Sequence, residues 1–199
     1  SWNSMMISAL SILYRISGNE KYLNAAKISQ KFIENNLCKN KRIYTSFRNG
    51  NRSGKSFLDD YAYYISALTE LYNSTLNKDY LNKAEFFCSE AVKLFADNKN
   101  GGFYLSEINN CELFINPKET FDGAVPSGNS IMAYNFVRLY QLTEKDIYRD
   151  LIERQNKFMS VSSRNYPAGH CMFLLAKLIY ENPPEHIICL LYTSPSPRD

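Results

Sequence analysis

The sequence predicts an all-α protein of stacked helical hairpins, part of a closed barrel with small β-hairpins in its loops. Three observations carry that prediction. The segment Ile7 to Tyr14 (ISALSILY) returns as Ile65 to Tyr72 (ISALTELY), an offset of 65 − 7 = 58 residues, and Tyr22, Leu23 and Ala26 return at the same offset as Tyr80, Leu81 and Ala84. A third copy follows after 140 − 72 = 68 residues, with Tyr72 returning as Tyr140 and Tyr80 as Tyr148. The period itself is the third observation. Tetratricopeptide and ankyrin units repeat at ~33–34 residues and HEAT units at ~40–47. A unit of 58 to 68 residues therefore holds two helices and a substantial connection, the kind of loop in which function often sits.

Each element follows in order from local pattern. Met5, Met6, Ala9, Leu10, Leu13 and Tyr14 recur at the i, i+3, i+4 spacing of an amphipathic helix. Gly18 stops that helix, and Asn19 caps a second from about Glu20 to Leu37. Residues 38 to 55 read as a charged loop with Asn49-Gly50 and Ser53-Gly54 turns around a short strand at Ile43 to Phe47. A third helix spans about Asp59 to Ser74, its two leading carboxylates facing the positive end of the helix dipole. The fourth spans about Lys78 to Ala96. After the Asn100-Gly101-Gly102 turn, Gly102 to Ser106 and Glu112 to Ile115 are predicted to pair as a hairpin. Helix five starts behind Pro126-Ser127-Gly128 and reaches about Leu142, helix six runs from about Lys145 to Ser160, and helix seven from about Ala168 to Glu181, before Pro183-Pro184. That makes three full hairpins and half of a fourth.

Composition narrows the class. With 45% hydrophobic and 14% aromatic residues the chain can build a real core, and fifteen Tyr supply rings with a polar tip for walls and clefts. The net charge of +3 is spread among interleaved acids and bases, so no basic stripe argues for nucleic acid. No run approaches the ~18 apolar residues of a membrane span. Cys38, Cys88, Cys111 and Cys171 are widely spaced without a CxxC, which reads as reduced, mostly buried thiols of a cytoplasmic protein and neither a disulfide framework nor a zinc site. Nothing calls for a cofactor or a metal. The chain opens at Ser1, without Met and already inside a helical pattern, and ends on Cys189 to Asp199 (CLLYTSPSPRD), which matches a transposase sequencing adapter read in frame. The expected layout is thus a partial barrel over residues 1–188, truncated on its N-terminal side, and a non-native adapter translation over 189–199.

The repeat also locates a candidate site. Adding 58 carries Trp2 to Asp60 and Asn3 to Tyr61, and adding 68 more carries them to Gly128 and Asn129. Equivalent positions of a wrapped array share a rim, where helix N-termini offer unpaired N–H groups. Asp60 and Asp122 are the candidate acid and base, since paired carboxylates are the usual equipment of glycosidic chemistry. Trp2, Asn3, Asp59, Tyr61, Ser127 and Asn129 are the candidate substrate-binding residues, and the set is predicted to converge on one cleft. Taken singly, Asp, Ser and Asn at helix starts are ordinary caps, and Asp122 can equally serve as a backbone tie. His170 and Cys171 adjoin each other in sequence, which does not make them a catalytic pair.

These residues carry a family resemblance. Trp2 to Leu10 (WNSMMISAL), Phe57 to Ala62 (FLDDYA), Gly101 to Tyr104 (GGFY), Pro117-Lys118, Asp122 to Ser130 (DGAVPSGNS) and Pro183-Pro184 resemble, in order, the C-terminal region of the YyaL-like, spermatogenesis-associated thioredoxin-domain proteins. The resemblance implies an (α/α)6 six-hairpin toroid, related to N-acylglucosamine 2-epimerases and six-hairpin glycosidases, behind an N-terminal thioredoxin-like domain. It implies a carbohydrate ligand and supplies no defined reaction. The histidines of the related epimerases find no match in this chain. Two functional readings stand: a sugar isomerase, epimerase or glycosidase using rim carboxylates, and a non-catalytic barrel that binds a carbohydrate or a protein client beside a thioredoxin-like domain. A plain helical scaffold sits poorly with the long period and the Gly/Pro-rich loops.

Overall fold

The computed structural model describes residues 1–108 and 115–183. Seven α-helices follow one another: α1 (Trp2–Ser17), α2 (Glu20–Phe32), α3 (Leu58–Thr75), α4 (Lys78–Phe95), α5 (Gly128–Thr143), α6 (Asp146–Asn165) and α7 (Cys171–Glu181). They form antiparallel pairs. Helices α1, α3, α5 and α7 stand side by side as one row, and α2, α4 and α6 each pack behind the first helix of their own hairpin.

The repeat is visible at the joints. Gly18, Leu76 and Glu144 occupy equivalent positions in the three hairpins and all adopt the left-handed conformation, with φ of 67°, 54° and 54°. Their N–H groups donate to the carbonyls of Tyr14, Tyr72 and Tyr140 at 2.8, 2.7 and 2.7 Å, closing each first helix in the same way. Asn19 and Asn77 then cap the second helices, each accepting from the N–H two residues on.

Burial follows position in the array. Helix α3 buries eleven residues against five in α4, and α5 buries ten against five in α6. In the first hairpin α1 and α2 bury three each, because α1 has a neighbour of the row on one flank alone. The core is aromatic where the layers meet: Tyr61 lies edge-on to Phe95, with ring centroids 5.4 Å apart, and Tyr64 edge-on to Phe87 at 5.1 Å.

Two connections differ from their predicted form. Helix α2 stops earlier than Leu37 and widens into a π-helical turn over Ile33–Leu37, where the Cys38 N–H reaches the Ile33 carbonyl. Beyond it lies a three-stranded antiparallel sheet in place of one short strand: β1 (Cys38–Lys39), β2 (Arg42–Arg48) and β3 (Asn51–Lys55), in that order. Asn49 and Gly50, with φ of 50° and 79°, make the left-handed turn that matches the twist of the β2–β3 hairpin. In the connection from α4 to α5, Phe103 bridges back to Ala96. Of its predicted partner strand, Glu112 to Ile115, residues 112–114 lie outside the described residues and Ile115 is in no strand; Cys111, Pro184, His186 and the segment from Cys189 also lie outside them. Among the described residues no helix is long and apolar enough to cross a membrane.

Candidate functional site

The starts of α3 and α5 meet through a chain of ties. The Tyr63 hydroxyl donates to the Pro126 carbonyl at 2.7 Å, Ser66 Oγ donates to Asn135 Oδ1 at 2.8 Å, and Asn135 Nδ2 returns a bond to the Ala62 carbonyl at 2.8 Å. At this junction Gly128, the first residue of α5, stands against Asp59. A Cβ on Gly128 would lie 2.4 Å from Asp59 Oδ1 and 2.8 Å from Leu58 Cδ2, so the missing side chain is what lets the two helix starts touch.

Asp59 is the electrostatic anomaly of the rim. Burial raises its carboxyl to about 6, the charges of Glu119 and Asp60 add to the shift, and the Gly128 N–H opposes it by bonding the ionised form. Tyr63, four residues on and therefore on the same helix face, has its hydroxyl pushed up by burial and then by the charges of Asp59 and Asp122. Sequence reasoning missed two members of this group. Tyr63 was signalled by its i+4 spacing from Asp59, and Glu119 by its place in the loop that precedes the DGAVPSGNS stretch.

The loop that presents Glu119 is held at almost every residue. Asn116 Oδ1 accepts from the Ser106 N–H at 3.0 Å, and the Pro117 carbonyl accepts from the Leu105 N–H at 2.8 Å. Lys118 Nζ bonds Asp97 Oδ2 at 2.5 Å and the Gly101 carbonyl at 2.7 Å, and it lies over the rings of Tyr104 and Phe158. The Lys118 ammonium and then the Asn100 N–H hold the Asp97 carboxyl well below the usual carboxylate range.

The eight residues singled out in the sequence fall into three groups instead of one cleft. Trp2, Asn3 and Asp60 line a cavity of about 140 Å³, roofed by Tyr44 and Thr45 of β2. Asp60 also accepts from the Phe57 N–H at 3.1 Å, a capping bond across the start of α3. Asp59, Asp122 and Ser127 gather at the α3–α5–α7 junction. There Asp122 accepts from the Ser127 N–H at 2.9 Å through Oδ1 and from the Met172 N–H at 2.8 Å through Oδ2, tying the loop to α5 and α7 together. Ser127 Oγ caps α5 by accepting from the Ser130 N–H at 3.2 Å. Tyr61 and Asn129 point into the interior. The Tyr61 hydroxyl accepts from the Ile43 N–H at 3.2 Å, and its ring packs on the outer layer. Asn129 accepts from the Phe103 N–H at 2.8 Å and from Gln155 Nε2 at 3.1 Å, and donates to the Phe103 and Glu119 carbonyls at 2.9 and 2.7 Å. That fills its amide's bonding capacity.

His170 is packed in the same way, buried with Nδ1 2.8 Å from the Tyr166 carbonyl. Cys88 is buried and Cys38 half-buried, its thiol pushed up to about 11 by burial, whereas Cys171 is exposed at the start of α7, contrary to the expected burial.

The comparisons with known proteins agree with this architecture. No family model matches the chain. An uncharacterised Caenorhabditis elegans protein is 32% identical over 161 residues, covering 75% of this chain and 21% of that protein. Spermatogenesis-associated protein 20 of Rattus norvegicus is 30% identical over 154 residues, covering 72% of this chain and 20% of its own length, and the Homo sapiens protein is 29% identical over the same length. The chain thus spans about a fifth of the length of the curated relatives it matches. Among solved structures, a GH76 α-mannanase from Bacteroides thetaiotaomicron superposes with a TM-score of 0.68 at 14% identity, over 91% of this chain and 52% of its own. A cellobiose 2-epimerase from Bacillus thermoamylovorans does so with a TM-score of 0.63 at 19% identity, over 77% and 42%. A D-mannose isomerase does so with a TM-score of 0.63 at 20% identity, over 78% and 41%. The fold is that of the six-hairpin (α/α)6 toroids, of which this chain forms an arc.

Proposed function

We infer that this chain is the wall of a sugar-active barrel, isomerase-, epimerase- or glycosidase-like, in which Asp59 exchanges a proton with a carbohydrate bound at the rim. The observation that carries the reading is the Asp59 carboxyl, raised to about 6 at the meeting of two helix starts. General acid–base catalysis works best when the group titrates near the operating pH. An aldose–ketose isomerase needs a group that takes a proton and returns it to the neighbouring carbon, and an epimerase needs the proton delivered to the opposite face of the same carbon. Glycosidases need a carboxyl still protonated near neutrality beside a second carboxylate. Glu119 is that second carboxylate, carried on a loop whose backbone is tied on both sides. Asp60 and Asp122, the pair the sequence favours, have a positioning role: each bonds backbone N–H groups that shape the rim. Trp2, Asn3 and Asp60 offer a ring face and polar groups to a sugar in the neighbouring cavity. The epimerase, isomerase and mannanase neighbours support the substrate class by analogy of fold alone. The resemblance further supports a thioredoxin-like domain in the same protein, and the free thiols a cytoplasmic one.

A second reading, a non-catalytic barrel that binds carbohydrate or a protein client, is favoured by Asp122, Ser127 and Asn129, whose side chains bond protein groups. One comparison separates the two. Aldoses, ketoses and disaccharides are incubated with the protein, and conversion is followed by NMR for the native chain, Asp59→Asn and Asp122→Asn. On the catalytic reading Asp59→Asn abolishes conversion without lowering the melting temperature, whereas Asp122→Asn lowers the melting temperature. Sugar binding without conversion, unaffected by Asp59→Asn, selects the second reading.

A further inference from the structure

Helix α5 carries a second polar feature far from the rim. Tyr134, Arg138 and Gln141 recur at i, i+4 and i+7 and so share one stripe of the helix. Arg138 lies ten residues beyond Gly128, about 15 Å deeper along the helix axis. The opposite side of α5 faces the outer layer, where Asn129 meets Gln155 of α6 and Phe136 meets Phe103. The stripe therefore lies on the side away from α6. Burial raises the Tyr134 hydroxyl, with Arg138 and Arg15 opposing and Glu70 adding to the shift, and α3 packs between α1 and α5.

Glu144 shares a surface cavity with Gln141, yet among the described residues it forms no ion pair with Arg138. Glu70 is buried and already engaged: Arg15 Nη2 bonds its Oε2 at 2.5 Å, and Arg15 Nη1 bonds its backbone carbonyl at 3.1 Å and Ser74 Oγ at 3.0 Å. Arg138 has no such partner. Among the described residues its guanidinium makes one bond, from Nη1 to Gln141 Oε1 at 2.9 Å. Arg138 Nε and Gln141 Nε2 are both shut away without an acceptor among the described residues. Two neighbouring donors left unsatisfied are costly, and a guanidinium without a counter-charge more so. The Nη1–Oε1 bond fixes the Gln141 amide so that its N–H₂ and the free edge of the guanidinium belong to one cluster. A planar guanidinium edge with a second donor beside it suits an oxyanion, which accepts through two oxygens.

The geometry points to an anion subsite on the inner face of the barrel, formed by Arg138, Gln141 and Tyr134, that takes the carboxylate or phosphoryl group of an acidic ligand. It stands apart from the rim and does not depend on Asp59 chemistry.

The test measures binding of inorganic phosphate, glucuronate and glucose by calorimetry at fixed ionic strength. The full chain is compared with Arg138→Gln, Gln141→Leu and Arg149→Gln. Arg149 is the control, an exposed arginine already paired with Asp146 at 3.0 Å. Saturable binding of either anion and not of glucose is expected. Arg138→Gln should weaken it at least tenfold, Gln141→Leu several-fold and Arg149→Gln not at all. Binding of glucuronate alone identifies a carboxylate ligand, and of phosphate alone a phosphoryl ligand. The apo melting temperature gives an independent readout: Arg138→Gln should leave it unchanged or raise it, since an unpaired charge is removed. A clear fall in that temperature, no anion binding by the native chain, or equal binding by Arg138→Gln would overturn the proposal.

Discussion

At the scale of single residues, adjacent carboxylates have opposite fates. Asp59 and Asp60 sit about 100° apart on a helix, so one faces the α5 start and the other caps its own. The sequence shows two acids at a helix start and cannot say which turns which way, because the answer depends on Gly128, 69 residues downstream (128 − 59). The Asp59 carboxyl, at about 6 when folded against an ordinary 3.8, keeps its proton in the folded state after the unfolded chain has lost it. Stability therefore falls as pH rises from about 4 to about 6 and is level above that. Asp59→Asn should remove this decline and stabilise the protein near pH 7 by roughly 1–3 kcal/mol, as urea melts across the range would reveal. Asp97 works the other way. Its pair with Lys118 is partly buried, and Asp97 keeps its bonds from Lys99, Asn100 and Tyr104, so Lys118→Met should cost roughly 1–3 kcal/mol at neutral pH. Because the Asp97 carboxyl is depressed when folded, that difference should shrink as pH falls below 4. A melt at pH 7 no lower than native would reject a stabilising role for the Lys118–Asp97 pair.

At the scale of elements, the hairpin was the most legible unit. Amphipathic spacing and Gly18, Asn19 and Asn77 marked its helices and joint, since these are local signals. What escaped was the third partner of each tie. Asn129 reads as a helix-start residue, yet its amide clasps Phe103 twenty-six residues away. The same blindness hid the full sheet after α2, whose strands are polar and mostly exposed. The joints themselves make a prediction. Gly18 fills the left-handed position in the first hairpin, while Leu76 and Glu144 fill it in the others with φ of 54°. A side chain in that conformation costs roughly 1–2 kcal/mol, partly offset by the chain entropy of glycine. Leu76→Gly and Glu144→Gly should each raise stability by about 0.5–1 kcal/mol. Gly18→Leu should lower it by about as much, and thermal melts of the three variants test the equivalence of the joints directly.

At the scale of the whole molecule, an array distributes stability by position. Helices α3 and α5 have row neighbours on both flanks and an outer helix behind, whereas the outward stripe of α1 leaves Trp2, Met6, Leu13 and Ile16 exposed at 80%, 57%, 40% and 78%. In repeat architectures each unit is stabilised by its own packing and by its nearest neighbours, so opening should be cheapest at the flank and dearest in the middle. Amide hydrogen exchange should then be slowest in α3 and α5 and fastest in α1, α2 and α7. Side-chain truncation should follow the same gradient. Leu68 is fully buried on α3, and Leu68→Ala should cost about 3–5 kcal/mol. Ile16→Ala, at the exposed flank, should stay within about 0.5 kcal/mol. Uniform protection across the hairpins would mean that the arc unfolds as one cooperative block. Stronger protection in α1 than in α3 would contradict the row order on which the rim and the inner-face subsite are both built.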